Sequence, residues 1–434
     1  MDSKNIKKTF FKYVSLNVLG MIGISCYILA DTFFVARGIG PDGLAALNLA
    51  IPIYGFIYGV GLMIGMGGAT RYSISKSNTI FTQSLYFVIM LSSAFFAAGL
   101  LLPDKLAYLL GSDMVTHQMT STYLQVILCL SPAFMLNNLM ICFVRNDGNP
   151  GLSMIAMLLG SFSNIILDYV FIFIFGMGMF GAAIATGIAP IISLTVLSAH
   201  MVKKKNSFHI EKGKPVLEAF YDISSLGVYS LVAELSSGIV MIIFNNIILR
   251  LAGNLGVAAY GIIANIAIVI LSIFTGISQG MQPIISNSYG IANHDNIRKV
   301  MKYGTIVSIV FAILIYFISF IFAEPIVAAF NKEQDLRLSQ MAIDGLRIYF
   351  TAFIFTGINI LLATYFGSVD KPKNAFIISI LRGFIVIIPL TFILSALLGM
   401  TGVWIAMPFT ELIVTLFSVS MYIDRRKLSL AVDN

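Results

Sequence analysis

The sequence predicts an all-α, polytopic membrane protein: twelve transmembrane helices in two six-helix bundles related by a parallel internal repeat. Three observations carry that reading. Hydrophobic residues make up 58% of the 434-residue chain against 11% charged, with a mean hydropathy of +0.92, outside the balance of water-soluble domains. The apolar residues fall in runs of about 18 or more, enough to cross a hydrocarbon core as helix, and lack the alternation of a transmembrane barrel. Segments of the first half recur, in order, in the second.

Polar breaks divide the chain into spans at 10–36, 44–70, 80–102, 117–143, 153–175, 180–201, 223–250, 256–288, 300–322, 340–366, 374–395 and 400–423. The first follows a basic start that resembles a signal sequence, but no small-residue cleavage site follows, so it is read as an uncleaved helix. The second holds YGFIYGVGLMIGMGGAT from Tyr54, whose glycines favour close helix packing. They are no phosphate loop, since no strand precedes them and no Lys-Ser/Thr pair follows. Pro132, Pro190, Pro283, Pro389 and Pro408 fall inside spans four, six, eight, eleven and twelve, where each frees a carbonyl and permits a bend. Pro190, one turn beyond Thr186, is the candidate hinge. Cys26, Cys129 and Cys142 lie in apolar runs, with neither the number nor the spacing of a disulfide framework or zinc site.

With the N-terminus inside, 20 of the 27 Lys and Arg fall on inner segments, among them Lys4, Arg71, Arg145, Lys203, Lys204, Lys205, Arg425, Arg426 and Lys427; Lys332 is one of the few outside. By the positive-inside rule both termini are cytoplasmic, and the short loops fit a bacterial inner membrane. The net charge of +7 then reflects attraction to anionic lipid and needs no nucleic-acid partner. The most basic loop, KKKNSFHIEKGKP from Lys203, halves the chain, giving an N-lobe at 1–202, a basic linker at 203–222 and a C-lobe at 223–434.

The halves echo each other. GLAALNLAIPI from Gly43 aligns with GVAAYGIIANI from Gly256 at an offset of 213, which also pairs Gly67 with Gly280 and Ser73 with Ser286. GAAIA from Gly181 aligns with GVWIA from Gly402 at 221, and Pro150 with Pro372 at 222. Six spans per half put both halves in the membrane the same way round, an arrangement suited to alternating access.

Charged groups inside spans cost roughly 2.5–3.5 kcal/mol each on insertion scales and mark functional sites by default. Asp31, Asp168, Glu234, Arg382 and Glu411 are such groups. At 1.5 Å rise per residue, Asp31, Asp168 and Thr186 all lie ~9–12 Å below the outer surface and can share one plane. Asn164 stands one turn deeper on the face of Asp168, as Tyr27 does relative to Asp31. Two carboxylates with amide, hydroxyl and phenol oxygens suit a small hard cation such as sodium, or a shared proton. The competing reading is an interhelical hydrogen bond that only holds the bundle together. Glu234 is central in span seven, with Arg382 of span eleven a candidate ion-pair partner; Glu411 of span twelve is a second partner for Arg382.

DTFFVARGIGPDGLAALNLAIPI from Asp31, NIILDYVFIFIFGMGMFGAAIAT from Asn164 and the paired GVAAYG and GVWIA segments resemble the multidrug and toxic compound extrusion (MATE) transporters over essentially the whole chain. The resemblance implies a cation-coupled antiporter that expels amphipathic, often cationic compounds on a sodium or proton gradient and uses no other cofactor. It places Asp31, Asn164, Asp168 and Thr186, with sodium as the candidate metal ion, in an N-lobe cation or proton site, and Glu234 in a C-lobe acidic position. Two features depart from the family: VSLNVLG from Val14 lacks an early proline in span one, and FTGINILLATYFGSVD from Phe355 offers only Asn359 where some members carry an acid. The expected assembly is a monomer in the bilayer. The alternatives are a lipid-linked oligosaccharide flippase of the same architecture, which calls for more central cations than Arg382, and an ion channel. An enzyme is not expected: no His-Glu-x-x-His motif occurs, and His117, His200, His209 and His294 lie near span ends or in loops.

Overall fold

The computed structural model describes residues 3–331 and 335–432, with side chains from 5 to 424 in that range. Lys4, Lys332, Arg425, Arg426 and Lys427, counted in the charge asymmetry, lie outside the described side chains. Among the described residues there is no strand. The spans are Ser3–Gly38, Pro41–Ser75, Asn78–Leu101, His117–Cys129 with Ser131–Asn146, Pro150–Tyr169, Gly178–Val202, Leu217–Gly290, His294–Ile321, Leu336–Tyr349 with Phe353–Ser368, Pro372–Ile380 with Ile387–Leu398, and Met400–Val432. Among the described residues, ten helical stretches are long and apolar enough to cross a membrane, and the pair His117–Cys129 and Ser131–Asn146, bent by 49°, makes an eleventh. Leu217–Gly290 is itself two helices, broken at Gly253 with φ 64° and ψ −159°. No side chain is comfortable there, so glycine permits the reversal. The count among the described residues is therefore twelve, and an even number of crossings returns the chain to its starting end.

Local chemistry explains the ends. Pro41, Pro150 and Pro372 open their helices at the first or second position, where a missing N–H is not needed. Span four breaks at Leu130, just before Pro132, and the Asn149 side chain caps span five by accepting from the Leu152 amide. Span six runs unbroken through Pro190.

The duplication is visible in irregularities the sequence did not reveal. Short helices, Pro103–Leu109 and Ala323–Phe330, precede spans four and ten. Span four breaks at Leu130, and span ten has a 3-10 turn at Phe350–Ala352. Spans five and eleven each contain a π turn, at Val170–Ile174 and Leu381–Ile385. The lobes cross-pack in the same symmetric way, span two on span seven and span eight on span one. A Cβ on Gly67 would fall 1.9 Å from the Ile223 carbonyl oxygen, and one on Gly280 would fall 2.8 Å from Val14 Cα. Gly227, which meets the Met63 carbonyl oxygen in the same way, stands at the 213 offset from Val14, so the two contacts are repeat mates.

The lobes bond to each other at the end bearing the basic loops. Arg71 of span two pairs with Asp222 and with Asp370, at 2.9 Å to the latter. Deeper, Asn17 donates to the Gly276 carbonyl at 3.1 Å, and the Asn146 and Gln282 amides bond reciprocally at 3.0 and 3.1 Å. Gln282 also donates to Thr70 at 2.8 Å.

The linker reading needs two corrections. Residues 217–222 are the opening turns of span seven, because Phe220 packs its ring on Phe87 at 5.0 Å and Glu218 favours a helix N-terminus. The rest is a strap fixed to the N-lobe. Gln83 donates to the Lys214 carbonyl at 2.7 Å and accepts from the Val216 amide at 2.9 Å, while Phe208 is buried beside Phe81 and Phe143. Ser207 bonds Asp147, which also holds His200 at 2.8 Å. Arg145, read from sequence as an inner loop charge, is instead fully buried between the lobes, because its long side chain turns back into the bundle.

Candidate functional site

Spans one, five and six bring Asp31, Asn164, Asp168 and Thr186 together inside the N-lobe. Asp168 and Asn164 are 0% exposed, Thr186 4% and Asp31 8%. Asn164 joins span five to span six. Its amide lies 3.4 Å from the Thr186 hydroxyl, and the orientation that satisfies its hydrogen bonding donates to Asp168 Oδ2 at 3.1 Å. Asp31 and Asp168 are close enough to act on one another electrostatically. Each keeps one buried oxygen, Oδ1, without a hydrogen-bond partner among the described residues. Two such oxygens inside a lobe are costly unless a proton or cation meets them.

Two side chains extend this cluster. Buried Tyr123 of span four stands near Thr186, Asp31 and Asp168, a proximity that no local spacing could reveal. The Tyr27 hydroxyl bonds Tyr54 at 2.8 Å and lies within electrostatic reach of Asp31, Asp168 and Glu234. The π turn begins two residues after Asp168, widening span five there; such turns recur at functional sites.

The C-lobe candidates divide. Arg382 pairs through Nε with Glu411 Oε1 at 2.5 Å, so its partner is Glu411 and not Glu234. Asn359 donates to Glu411 Oε2 at 2.7 Å and accepts from Thr415 at 3.1 Å, which ties span ten to span twelve. Glu234, Arg382 and Asn359 line a cavity of about 90 Å³ with Tyr229, Gln279 and the N-lobe's Met66. Glu234 forms no ion pair among the described residues. No cluster of three or more His, Cys, Asp or Glu able to hold a metal occurs there either. The N-lobe donor set is thus two carboxylates plus neutral oxygens, a set that suits sodium or a proton rather than a transition metal.

Comparison with known proteins agrees with this architecture. The MatE family model matches residues 18–170 and 230–393. The chain is 28% identical over 396 residues to the multidrug export protein MepA of Staphylococcus aureus strain MSSA476, covering 89% of this chain and 86% of the relative. It is 25% identical over 422 residues to MepA of Staphylococcus saprophyticus, covering 95% and 92%. A solved structure described as the outward-facing conformation of a multidrug resistance MATE family transporter of the MOP superfamily superposes with a TM-score of 0.91 at 23% identity, over 99% of this chain and 97% of that one. A family match over both lobes and a shared fold lead to one conclusion: the chain belongs to the MatE family, the multidrug and toxic compound extrusion transporters, and is a membrane transporter rather than an enzyme.

Proposed function

We propose that this transporter is an antiporter that exports amphipathic, often cationic compounds from a bacterial cytoplasm in exchange for sodium or protons. The basic end, with both termini, is its cytoplasmic side. The observation that carries the reading is the pair of buried carboxylates, Asp31 and Asp168, whose Oδ1 atoms lack partners beside Asn164 and Thr186. A cation or proton arriving from outside neutralises them, and its departure to the cytoplasm restores the charge. Coupling follows because cation and substrate differ in their affinity for the two states of the lobes. Tyr27, bonded to Tyr54, lies within electrostatic reach both of this cluster and of Glu234, the acidic group of the C-lobe cavity and the natural partner for a cationic substrate. With Arg382 committed to Glu411, that cavity presents no cationic set for a lipid pyrophosphate.

The test is efflux of a cationic dye from proteoliposomes under an imposed sodium gradient and, separately, a proton gradient. Efflux driven by one gradient and abolished in Asp168→Asn is expected. Gradient-driven efflux that survives this variant would remove the N-lobe site from the coupling mechanism and direct attention to Glu234→Gln.

A further inference from the structure

Arg145 is the largest fully buried side chain described, at 0% exposure, and it has no carboxylate partner among the described residues. Its Nη1 donates to Asn17 Oδ1 and to Gln279 Oε1, both at 2.9 Å. Its Nη2 faces Met66 Sδ at 3.2 Å and Cys142 Sγ at 3.7 Å, while Nε is unbonded. A full positive charge is thus held between the lobes by neutral acceptors alone. Burying it this way is unfavourable for the fold, so packing is a poor account of it.

Its position explains more. Met66 and Gln279, two of its partners, also line the C-lobe cavity that holds Glu234. Asn146, the next residue, lines a second cavity of about 280 Å³ toward the basic end, with Tyr13, Lys76, Asp147 and Asn287. From Asn146 a buried polar chain enters the seam: Ser73 donates to Asn146, Asn146 and Gln282 bond each other, and Gln282 donates to Thr70 and Ser286. Such a chain can pass a proton or solvate a small cation. The guanidinium stands beside it, held by two residues that line the one cavity and one position from a residue that lines the other.

We propose that Arg145 is a charge barrier that stops the coupling cation from leaking through the closed seam between the central cavity and the cytoplasm. This rests on the cation-coupled reading above. A monovalent cation within about 4–5 Å of an uncompensated guanidinium, at an effective dielectric near 20, is disfavoured by roughly a hundredfold or more. Fixed positive charge excludes cations from narrow pores on the same principle. Neutral acceptors are required, because a carboxylate at position 17 or 279 would cancel the field.

The experiment measures passive flux in proteoliposomes without any exported compound, using radioactive sodium for one gradient and an entrapped pH dye for the other. It compares wild type, Arg145→Met and Arg145→Lys, each checked for a monodisperse elution profile. The expected result is a 10- to 100-fold rise in sodium or proton leak in Arg145→Met and near-wild-type tightness in Arg145→Lys. Equal tightness in all three overturns the proposal. So does an Arg145→Met leak that admits chloride as readily as sodium, since that residue would then act by filling space. If Arg145→Met fails to fold, Asn17→Asp, which places a counter-charge on the guanidinium, must raise the leak instead, and its tightness overturns the proposal. No drug enters the assay, so its outcome is independent of whether gradient-driven efflux is found.

Discussion

At the scale of single residues, charged groups sort by whether the protein satisfies them. Glu411 is fully buried and fully used, with Arg382 on one oxygen and Asn359 on the other. Glu411→Ala strands the Arg382 guanidinium and the Asn359 amide together. The variant is expected to lose about 2–4 kcal/mol of stability, less than a wholly buried pair would, because Arg382 retains some exposure. Replacing both partners in Arg382→Met with Glu411→Met is expected to recover most of that loss. Denaturant melts of the purified proteins in detergent check both values, and a loss below 0.5 kcal/mol for the single variant would contradict the buried-pair account. Asp31 and Asp168 are the opposite case, since they keep unpaired oxygens where a structural pair would leave none.

At the scale of helices, what matters is how closely backbones approach. Span seven meets span two at Gly227, where a Cβ would lie 1.9 Å from the Met63 carbonyl oxygen. Gly227→Ala must therefore part the two helices, and overpacking of this kind costs about 1–3 kcal/mol. Its melting temperature is expected to fall, and a cysteine at the buried position Ser286 should label faster with a thiol reagent than in the parent. Gly55→Ala, with nothing within 4 Å of the new methyl, is the control and is expected to match the parent. Should Gly227→Ala behave like the control, close backbone packing is not what closes the seam.

For the whole molecule, the two lobes are joined at the basic end by Arg71, which reaches both Asp222 and Asp370. These pairs are part exposed, and each is worth about 0.2–1 kcal/mol. Arg71→Ala should thus bias the lobes without unfolding them. The population open at that end is expected to rise about 3- to 10-fold, read as a longer distance between spin labels at Ser75 and His294. An unchanged distance distribution would show that the deeper amide network, Asn146 with Gln282, holds the seam by itself.

Hydropathy alone determined the twelve spans, because each must present a continuous apolar surface to lipid whatever its neighbours do; the duplication was legible because its glycines and prolines have obligatory backbone roles. Asp31, Asn164, Asp168 and Thr186 could be singled out for a related reason, since polar groups stand out inside apolar runs. Partners across spans were not legible. Tyr54 on Tyr27 and Glu411 on Arg382 depend on how helices rotate against one another, which spacing along one helix does not specify. Arg145 was misplaced for the same reason: one-dimensional position puts it at a span's end, while a flexible side chain and a facing lobe decide that its charge lies inside. The sequence by itself determined the class, the spans and the set of intramembrane polar groups, through transfer energies that are local; only the tertiary structure decided which of them meet, because pairing is set by the packing of helices distant in the chain.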